Sequence, residues 1–212
     1  MSKKAVLIDF DGTIVDSLKG IYKVFKAYFE MKGKPFISFK NFKNSFKADW
    51  IKFLKEYGVS IEGSTSTNEL IEQYIKVVSQ AKVNPSMTEA LRSFKELGFK
   101  VAVVSSSMEK AIESKLKNEN IKVDLIVSGF ESRISDKTEL LKLALRKLKI
   151  NPKDAVYVGD MREDMEAGKA IGVKVIGFAR GLHDKEALKA ARADSIVSDG
   201  RSLIKTVIQC LG

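Results

Sequence analysis

Apolar residues in this chain gather in short runs, and most runs lead into a segment of helical periodicity. Ala5-Val6-Leu7-Ile8, Val101-Ala102-Val103-Val104, Val123-Asp124-Leu125-Ile126-Val127, Ala155-Val156-Tyr157-Val158 and Val173-Lys174-Val175-Ile176 have the length and continuity of buried strands. Ser195-Ile196-Val197 reads as a last, shorter one. Between them, residues 108–118, 139–148 and 164–171 repeat apolar positions at helical spacing. Ser86 with Glu89, Ser106 with Glu109 and, more loosely, Asp136 with Glu139 have the pattern of capping boxes at helix starts. Gly98, Gly168 and Gly172 fall near predicted helix ends. The alternation predicts an α/β fold with a mostly parallel sheet and helices packed on it. Sheets of that kind bind ligands beyond the carboxyl ends of their strands.

Residues 16–84 break the alternation and contain no convincing strand. Ile21, Val24, Phe25, Tyr28 and Phe29 form one apolar helical stripe; Phe39, Phe42, Phe46, Trp50, Phe53 and Leu54 form a second; Leu70, Ile71, Tyr74, Ile75 and Val78 form a third. Gly33-Lys34-Pro35 and Glu62-Gly63-Ser64-Thr65-Ser66 punctuate them. The pattern predicts a small helical domain over 16–84, inserted into a core made of 1–15 and 85–212. Most of the aromatic residues lie in the insert, and their spacing assigns them to its own interior, Trp50 included, with a few left to line a cleft.

Composition narrows the class. At 212 residues, with 44% hydrophobic and 30% charged residues, the chain can bury one good core plus a small accessory domain. Cys210 is the only cysteine, which excludes an internal disulfide and a Cys-rich zinc site and fits a reducing compartment. Asp9 and Asp11 interrupt the N-terminal apolar run too early for a signal peptide, and no apolar stretch approaches membrane-spanning length. A cytoplasmic protein with no membrane partner is expected. The net charge of +10 comes mostly from lysines spread along the chain. Such a field attracts anionic substrates. Without zinc-finger spacing, an RNP-like aromatic motif or a dense basic block, nucleic acid is not the expected partner.

The chemistry concentrates where predicted strands end. Asp9 and Asp11, at i and i+2 after the first strand, fall on one side of an extended chain while Phe10 points into the core, and Gly12 permits a sharp turn. Two acids at one rim suit a nucleophile beside an acid/base, with a cation to hold their charge. Ser105-Ser106 follows the second long strand and offers hydroxyls and helix N-terminal amides to phosphate oxygens, with Ser106 the expected helix cap and Ser105 the better ligand. Lys137, in so lysine-rich a chain, carries little signal alone. Asp160 and Asp164, after another strand, are spaced for a hard cation with oxygen ligands.

Taken in order, Asp9-Phe10-Asp11-Gly12-Thr13-Ile14 followed by Val15-Asp16-Ser17, then Ser105, Lys137 and Gly159-Asp160-x-x-x-Asp164, resemble the motifs of the haloacid dehalogenase superfamily over essentially the whole chain, near its phosphoglycolate phosphatase-like branch. The resemblance implies a Rossmann-like core with a helical cap. It implies Asp9 as nucleophile and Asp11 as general acid and base. It also implies Mg²⁺ on the Asp9 carboxylate, the Asp11 carbonyl and Asp160, with Asp164 a direct or water-mediated ligand. Ser105, with Ser106, would hold phosphoryl oxygens, and Lys137 would balance charge. An acid at position 11 favours an oxygen leaving group over halide. Ser105-Ser106 stands where the family often has Thr-Asn, and Lys137-Thr138 where it often has Lys-Pro. The expected activity is Mg²⁺-dependent hydrolysis of a small phosphate monoester, phosphoglycolate-like or a sugar phosphate. The alternatives are a phosphomutase resembling β-phosphoglucomutase and a non-catalytic basic interaction protein on the same scaffold. Arg162 and Arg180 are candidates for reading the leaving group. His183, the one histidine, is expected to be an ordinary loop residue, and Cys210 a thiol without a role.

Overall fold

Ala5–Ile8 (β1) is buried on both sides, and its side chains alternate between two separate cores, Val6 and Ile8 in one and Ala5 and Leu7 in the other. That alternation is what a central strand with helices on both faces requires. A computed structural model describes residues 3–46, 49–59 and 65–212. After β1 come Val15–Asp16 (β2) and the helices Leu18–Met31 (α1), Phe39–Ser45 (α2), Trp50–Glu56 (α3) and Thr65–Gln80 (α4). Lys82–Val83 (β3) then leads into Pro85–Glu96 (α5), Lys100–Ser105 (β4), Glu109–Asn118 (α6), Leu125–Ser128 (β5) and the single turn Gly129–Ser132 (α7). The rest comprises Lys137–Leu148 (α8), Ala155–Gly159 (β6), Arg162–Ala170 (α9), Lys174–Phe178 (β7), Lys185–Ala190 (α10), Ser195–Val197 (β8) and Gly200–Leu211 (α11).

Six strands form one parallel sheet in the order β5-β4-β1-β6-β7-β8, so the fold is the α/β, Rossmann-like arrangement expected. The order reverses at β1, between β4 and β6, which puts a crevice at the carboxyl end of β1. Helices α5 and α11 pack together on one face, and α8 and α9 on the other. Between β2 and β3, an antiparallel pair joined at Val15↔Val83 and Asp16↔Lys82, run helices α1 to α4. Phe25 packs its ring against Phe42, Phe46, Trp50 and Phe53, so the predicted stripes of α1, α2 and α3 do share an interior. That interior is continuous with the core on the same side of the sheet.

Several local expectations are corrected. The pair β2–β3 went unpredicted because two residues give no periodicity. The strand expected over 123–127 begins at Leu125, because Asp124 turns its carboxylate to the Val101 amide at 2.8 Å and to Lys100 at 2.8 Å. Helix α5 is capped by Asn84, which accepts from the Ser86 amide and hydroxyl, while Ser86 Oγ accepts from the Gly200 amide. Ser106 does not cap α6; that helix begins at Glu109, whose amide donates to Glu131. Asp136 does cap α8, which starts two residues before the predicted point, at Lys137. The predicted turn at Glu62-Gly63-Ser64 lies outside the described residues, and Thr65 already belongs to α4.

Candidate active site

Strand β1 delivers Asp9 still in register, its amide donating to the Val158 carbonyl at 2.8 Å. The chain then turns tightly: the amides of Ile14 and Val15 return to the Phe10 carbonyl, and the Gly12 amide donates to the Val15 carbonyl. Gly12 sits at φ +81°, and a Cβ there would collide with the Asp160 carboxylate. Phe10 is fully buried, as its alternation requires. Asp9 and Asp11 therefore reach one cavity, but they turn to different partners.

Asp9 faces a buried charge cluster. Lys137 Nζ donates to Asp9 Oδ1 at 2.8 Å and lies 3.4 Å from Asp164 Oδ1. Helix α8 aims this lysine because Asp136 caps its first turn, accepting from the Thr138 amide at 2.7 Å. Asp164 also accepts from the Tyr157 hydroxyl at 2.7 Å and, closing the start of α9, from the Met161 amide at 2.9 Å. Asp160 accepts from the Leu182 amide and from Thr13 Oγ1 at 3.3 Å. Burial pushes the Asp9 carboxyl up to about 7, with Lys137 opposing and Asp164 adding to the rise. Burial also raises Asp160, reinforced by Asp9 and Asp164. Burial works against the Lys137 charge, but Asp9 and Asp164 outweigh it and keep the ammonium above its ordinary range.

Three buried carboxylates thus share one buried cation. Asp9, Asp160 and Asp164 each offer an oxygen within 4.8 Å of the others. An all-oxygen donor set with excess negative charge fits a hard divalent cation. Asp164 already accepts on both of its oxygens, which suits a water-bridged contact as well as a direct one.

Asp11 turns away from this cluster. Ser17 donates to its Oδ1; Ser107 donates to its Oδ2, which the Tyr74 hydroxyl also approaches at 3.4 Å. Burial raises the Asp11 carboxyl, while the Ser107 and Ser17 hydroxyls pull the other way. Ser105 lies at the end of β4, its Oγ accepting from the Ser107 amide at 3.1 Å, which leaves its own proton for a ligand. Ser106 Oγ is buried and has no hydrogen-bond partner among the described residues. A buried hydroxyl of this kind at the cavity wall suits an anionic oxygen.

The cavity holds about 40 Å³ of open space, lined by Asp9, Asp11, the three serines, Lys137 and Asp160 on one side. Apolar walls come from Leu18, Ile21, Phe46, Trp50 and Met161. Trp50 is thus a wall of the site as well as part of the insert's interior; its ring stacks on Tyr74 at 5.9 Å and on Phe130 at 6.2 Å. Arg162 and Arg180 do not line this cavity. Both are exposed, and Arg162 instead borders a separate cleft with Lys40, Lys43 and His183. His183 Nδ1 accepts from the Arg162 amide at 3.0 Å, a loop-fixing role. Sequence reasoning missed Ser107, Tyr74 and Tyr157 as site residues. The run Ser105-Ser106-Ser107 could have flagged the first; nothing in a helical stripe or a buried strand distinguishes the other two from core.

The chain matches the family model of the haloacid dehalogenase-like hydrolases over residues 6–178. It is 21% identical over 209 residues to a phosphoglycolate phosphatase of Synechococcus elongatus, covering 98% of this chain and 99% of that one. It is 24% identical over 203 residues to a phosphorylated carbohydrates phosphatase of Thermotoga maritima, covering 92% and 94%. A crystal structure of a predicted phosphatase from Clostridium acetobutylicum superposes with a TM-score of 0.85 at 25% identity, over 99% of this chain and 100% of that one.

Proposed function

We propose that this chain, which belongs to the haloacid dehalogenase-like hydrolase family, is a Mg²⁺-dependent phosphatase of small phosphate monoesters that works through an aspartyl-phosphate on Asp9. The observation that carries the reading is the 2.8 Å contact of Asp9 with Lys137 inside a cluster of three buried acids. In this reading, residues 16–84 are a cap over a core of 1–15 and 85–212.

Asp9 Oδ attacks phosphorus as the bond to the ester oxygen breaks. Asp11 gives its proton to the departing oxygen, whose alcohol leaves with the bonding electron pair. Asp11, now a carboxylate, takes a proton from water, which attacks the same phosphorus and displaces Asp9, releasing phosphate. Ser105 and Ser106 hold phosphoryl oxygens, and Lys137 steadies the anionic nucleophile. Bound Mg²⁺, held by the Asp9 and Asp160 carboxylates and the Asp11 carbonyl with Asp164 direct or through water, would supply charge neutralisation between anionic nucleophile and anionic phosphate. The apolar walls exclude water from the reacting atoms.

The walls also bear on the substrate. Among the described residues, Lys137 is the only cation lining the cavity, and two carboxylates already engage it. A phosphoglycolate-like ester brings a second anion with no described partner there. A sugar or other uncharged alcohol phosphate therefore fits better. The test is phosphate release from phosphoglycolate, sugar phosphates, nucleotides and pyrophosphate, with Mg²⁺ and with EDTA, beside Asp9→Asn. β-Glucose 1-phosphate is also assayed for isomerisation. Metal-dependent release that disappears in the variant supports the reading; no release from any ester, or release that survives Asp9→Asn, overturns it.

A further inference from the structure

Resting on that reading, we infer that Tyr74 and Ser107 are positioning residues that aim the Asp11 carboxyl, so that helix α4 of the insert sets the geometry of the proton transfer. The Tyr74 hydroxyl lies 2.7 Å from Ser107 Oγ, and Ser107 Oγ donates to Asp11 Oδ2. Tyr74 also reaches that oxygen itself at 3.4 Å. Ser17 holds the other carboxyl oxygen. A carboxyl side chain swings broadly about its last torsion. Hydroxyls on both oxygens fix its plane, and these hydroxyls come from three places: the start of α1, the loop after β4, and α4.

Tyr74 is suited to this role and not to proton transfer of its own. The residue is 4% exposed, and because Ser107 Oγ gives its proton to Asp11, the phenol is the donor of the Tyr74–Ser107 pair. Its ring is seated by stacking on Trp50 with planes 12° apart, and Trp50 stacks in turn on Phe130 of α7 with planes 10° apart. The column of three rings runs from the insert onto the core beside the cavity. Where α4 sits therefore decides whether Ser107 has its outer partner, and through Ser107 how Asp11 points. Proton delivery is coupled to the seating of the insert.

The test is leaving-group dependence, because a misaimed general acid harms esters that need protonation and spares those that do not. Tyr74→Phe keeps the ring stack and removes one hydroxyl. Its kcat/KM, which reports the steps through departure of the alcohol, is compared on an alkyl phosphate and on 2,4-dinitrophenyl phosphate. The expected loss is about tenfold or more on the alkyl ester and under about twofold on the activated one, a fraction of what a general acid contributes. Ser107→Ala shows the same selectivity, the double variant is no worse than the more damaging single one, and Asp11→Asn shows the selectivity more strongly. Equal losses on both esters mean a merely structural role and overturn the inference, as does no loss on either. If the wild-type protein hydrolyses neither ester, the phosphatase reading itself falls and the positioning role with it, a result distinct from active variants without selectivity.

Discussion

Lys137 Nζ and Asp9 Oδ1 lie 2.8 Å apart with their side chains only 6% and 7% exposed. The pair is not self-contained, because Asp164 also reaches Lys137 and Asp160 stands within the same cluster. One cation thus tempers three acids.

Lys137→Met would leave those acids buried without a protein cation. Breaking a buried pair by removing one partner costs about 3–5 kcal/mol, and the metal-free variant should lose stability on that scale in urea unfolding. Added Mg²⁺ should restore part of it, since the cation replaces some of the missing charge. Turnover should fall by at least about a hundredfold, the loss typical of removing one preorganised charge partner. A variant as stable as wild type without metal would show that the acids are not ionised together.

The pH dependence of the metal-free protein should run opposite to ordinary acid denaturation. Burial raises Asp9 from 3.8 to about 7, and Asp11 and Asp160 rise with it. Between those limits these three carboxyls bind more protons in the folded state than in the unfolded one, and their sum outweighs His183, which burial lowers and which acts with the opposite sign below its ordinary value, so stability falls as pH rises from about 4 to about 7. Lys137, with its own value raised, titrates outside that window. Burial raises Asp124, but hydrogen bonds from Lys100, Lys95 and the Val101 amide together outweigh it and lower the carboxyl to about 2, so it matters only below about 4. Thermal melts in EDTA at pH 5 and pH 7.5 should show the higher midpoint at pH 5, and Mg²⁺ should raise the midpoint more at pH 7.5. A midpoint that climbs from pH 5 to 7.5 without metal would falsify this assignment.

Asp9→Asn and Asp11→Asn should separate by magnitude. Loss of the nucleophile removes the covalent route, and turnover should drop by more than about ten-thousand-fold. Loss of the acid/base should cost about 10²- to 10⁴-fold. Neither variant should unfold: Asp9→Asn relieves one of three crowded carboxylates, and Lys137 keeps Asp164 as a partner. Circular dichroism melts alongside phosphate release check both halves. Near-normal turnover in Asp9→Asn would remove the nucleophile from its place.

What was readable in the sequence follows from how local each signal is. The unbroken apolar runs of β1, β4 and β6 are intrinsic to their segments, and so are the acids that end β1 and β6. Those gave the sheet and brought Asp9, Asp11 and Asp160 to one cavity. Lys137 was indistinguishable from its many neighbours until α8 aimed it. Tyr74 repeats at core spacing in α4, and only the packing of α4 against α1 and α6 turns its hydroxyl toward Ser107. Tyr157 lies in an apolar strand; its hydroxyl meets Asp164 because α9 starts at Arg162, two residues before the predicted point. Arg162 follows the last acidic motif and Arg180 lies in the run Gly177-Phe178-Ala179-Arg180-Gly181, but the first turn of α9 and the loop after β7 leave both exposed and off the cavity.

Gly181 supplies the sharpest test of the metal assignment. Asp160 lies between two glycines: a Cβ on either Gly12 or Gly181 would come well inside 3.0 Å of its carboxylate. Gly12 has a positive φ, so a substitution there confounds backbone strain with the clash, whereas Gly181 does not. Asp160 cannot retreat, because its carbonyl accepts from the His183 amide at 3.2 Å and its side chain is held by Thr13 and the Leu182 amide. Because the new Cβ would also collide with Asp160 Cβ, turning the carboxylate alone cannot relieve the clash, and Gly181→Ala should shift the Gly181-Leu182 segment and take the Leu182 amide off the Asp160 carboxylate. Disturbing a metal ligand through its supports typically costs about 10- to 100-fold in affinity, and the Mg²⁺ concentration giving half-maximal activity should rise by that factor. Saturating Mg²⁺ should recover most of the turnover, since Asp9 and Asp11 are untouched. Arg180→Ala, one residue away and exposed, should leave the Mg²⁺ titration as it is in the wild type. If Gly181→Ala also leaves it unchanged while remaining folded, the cation is not held by Asp160.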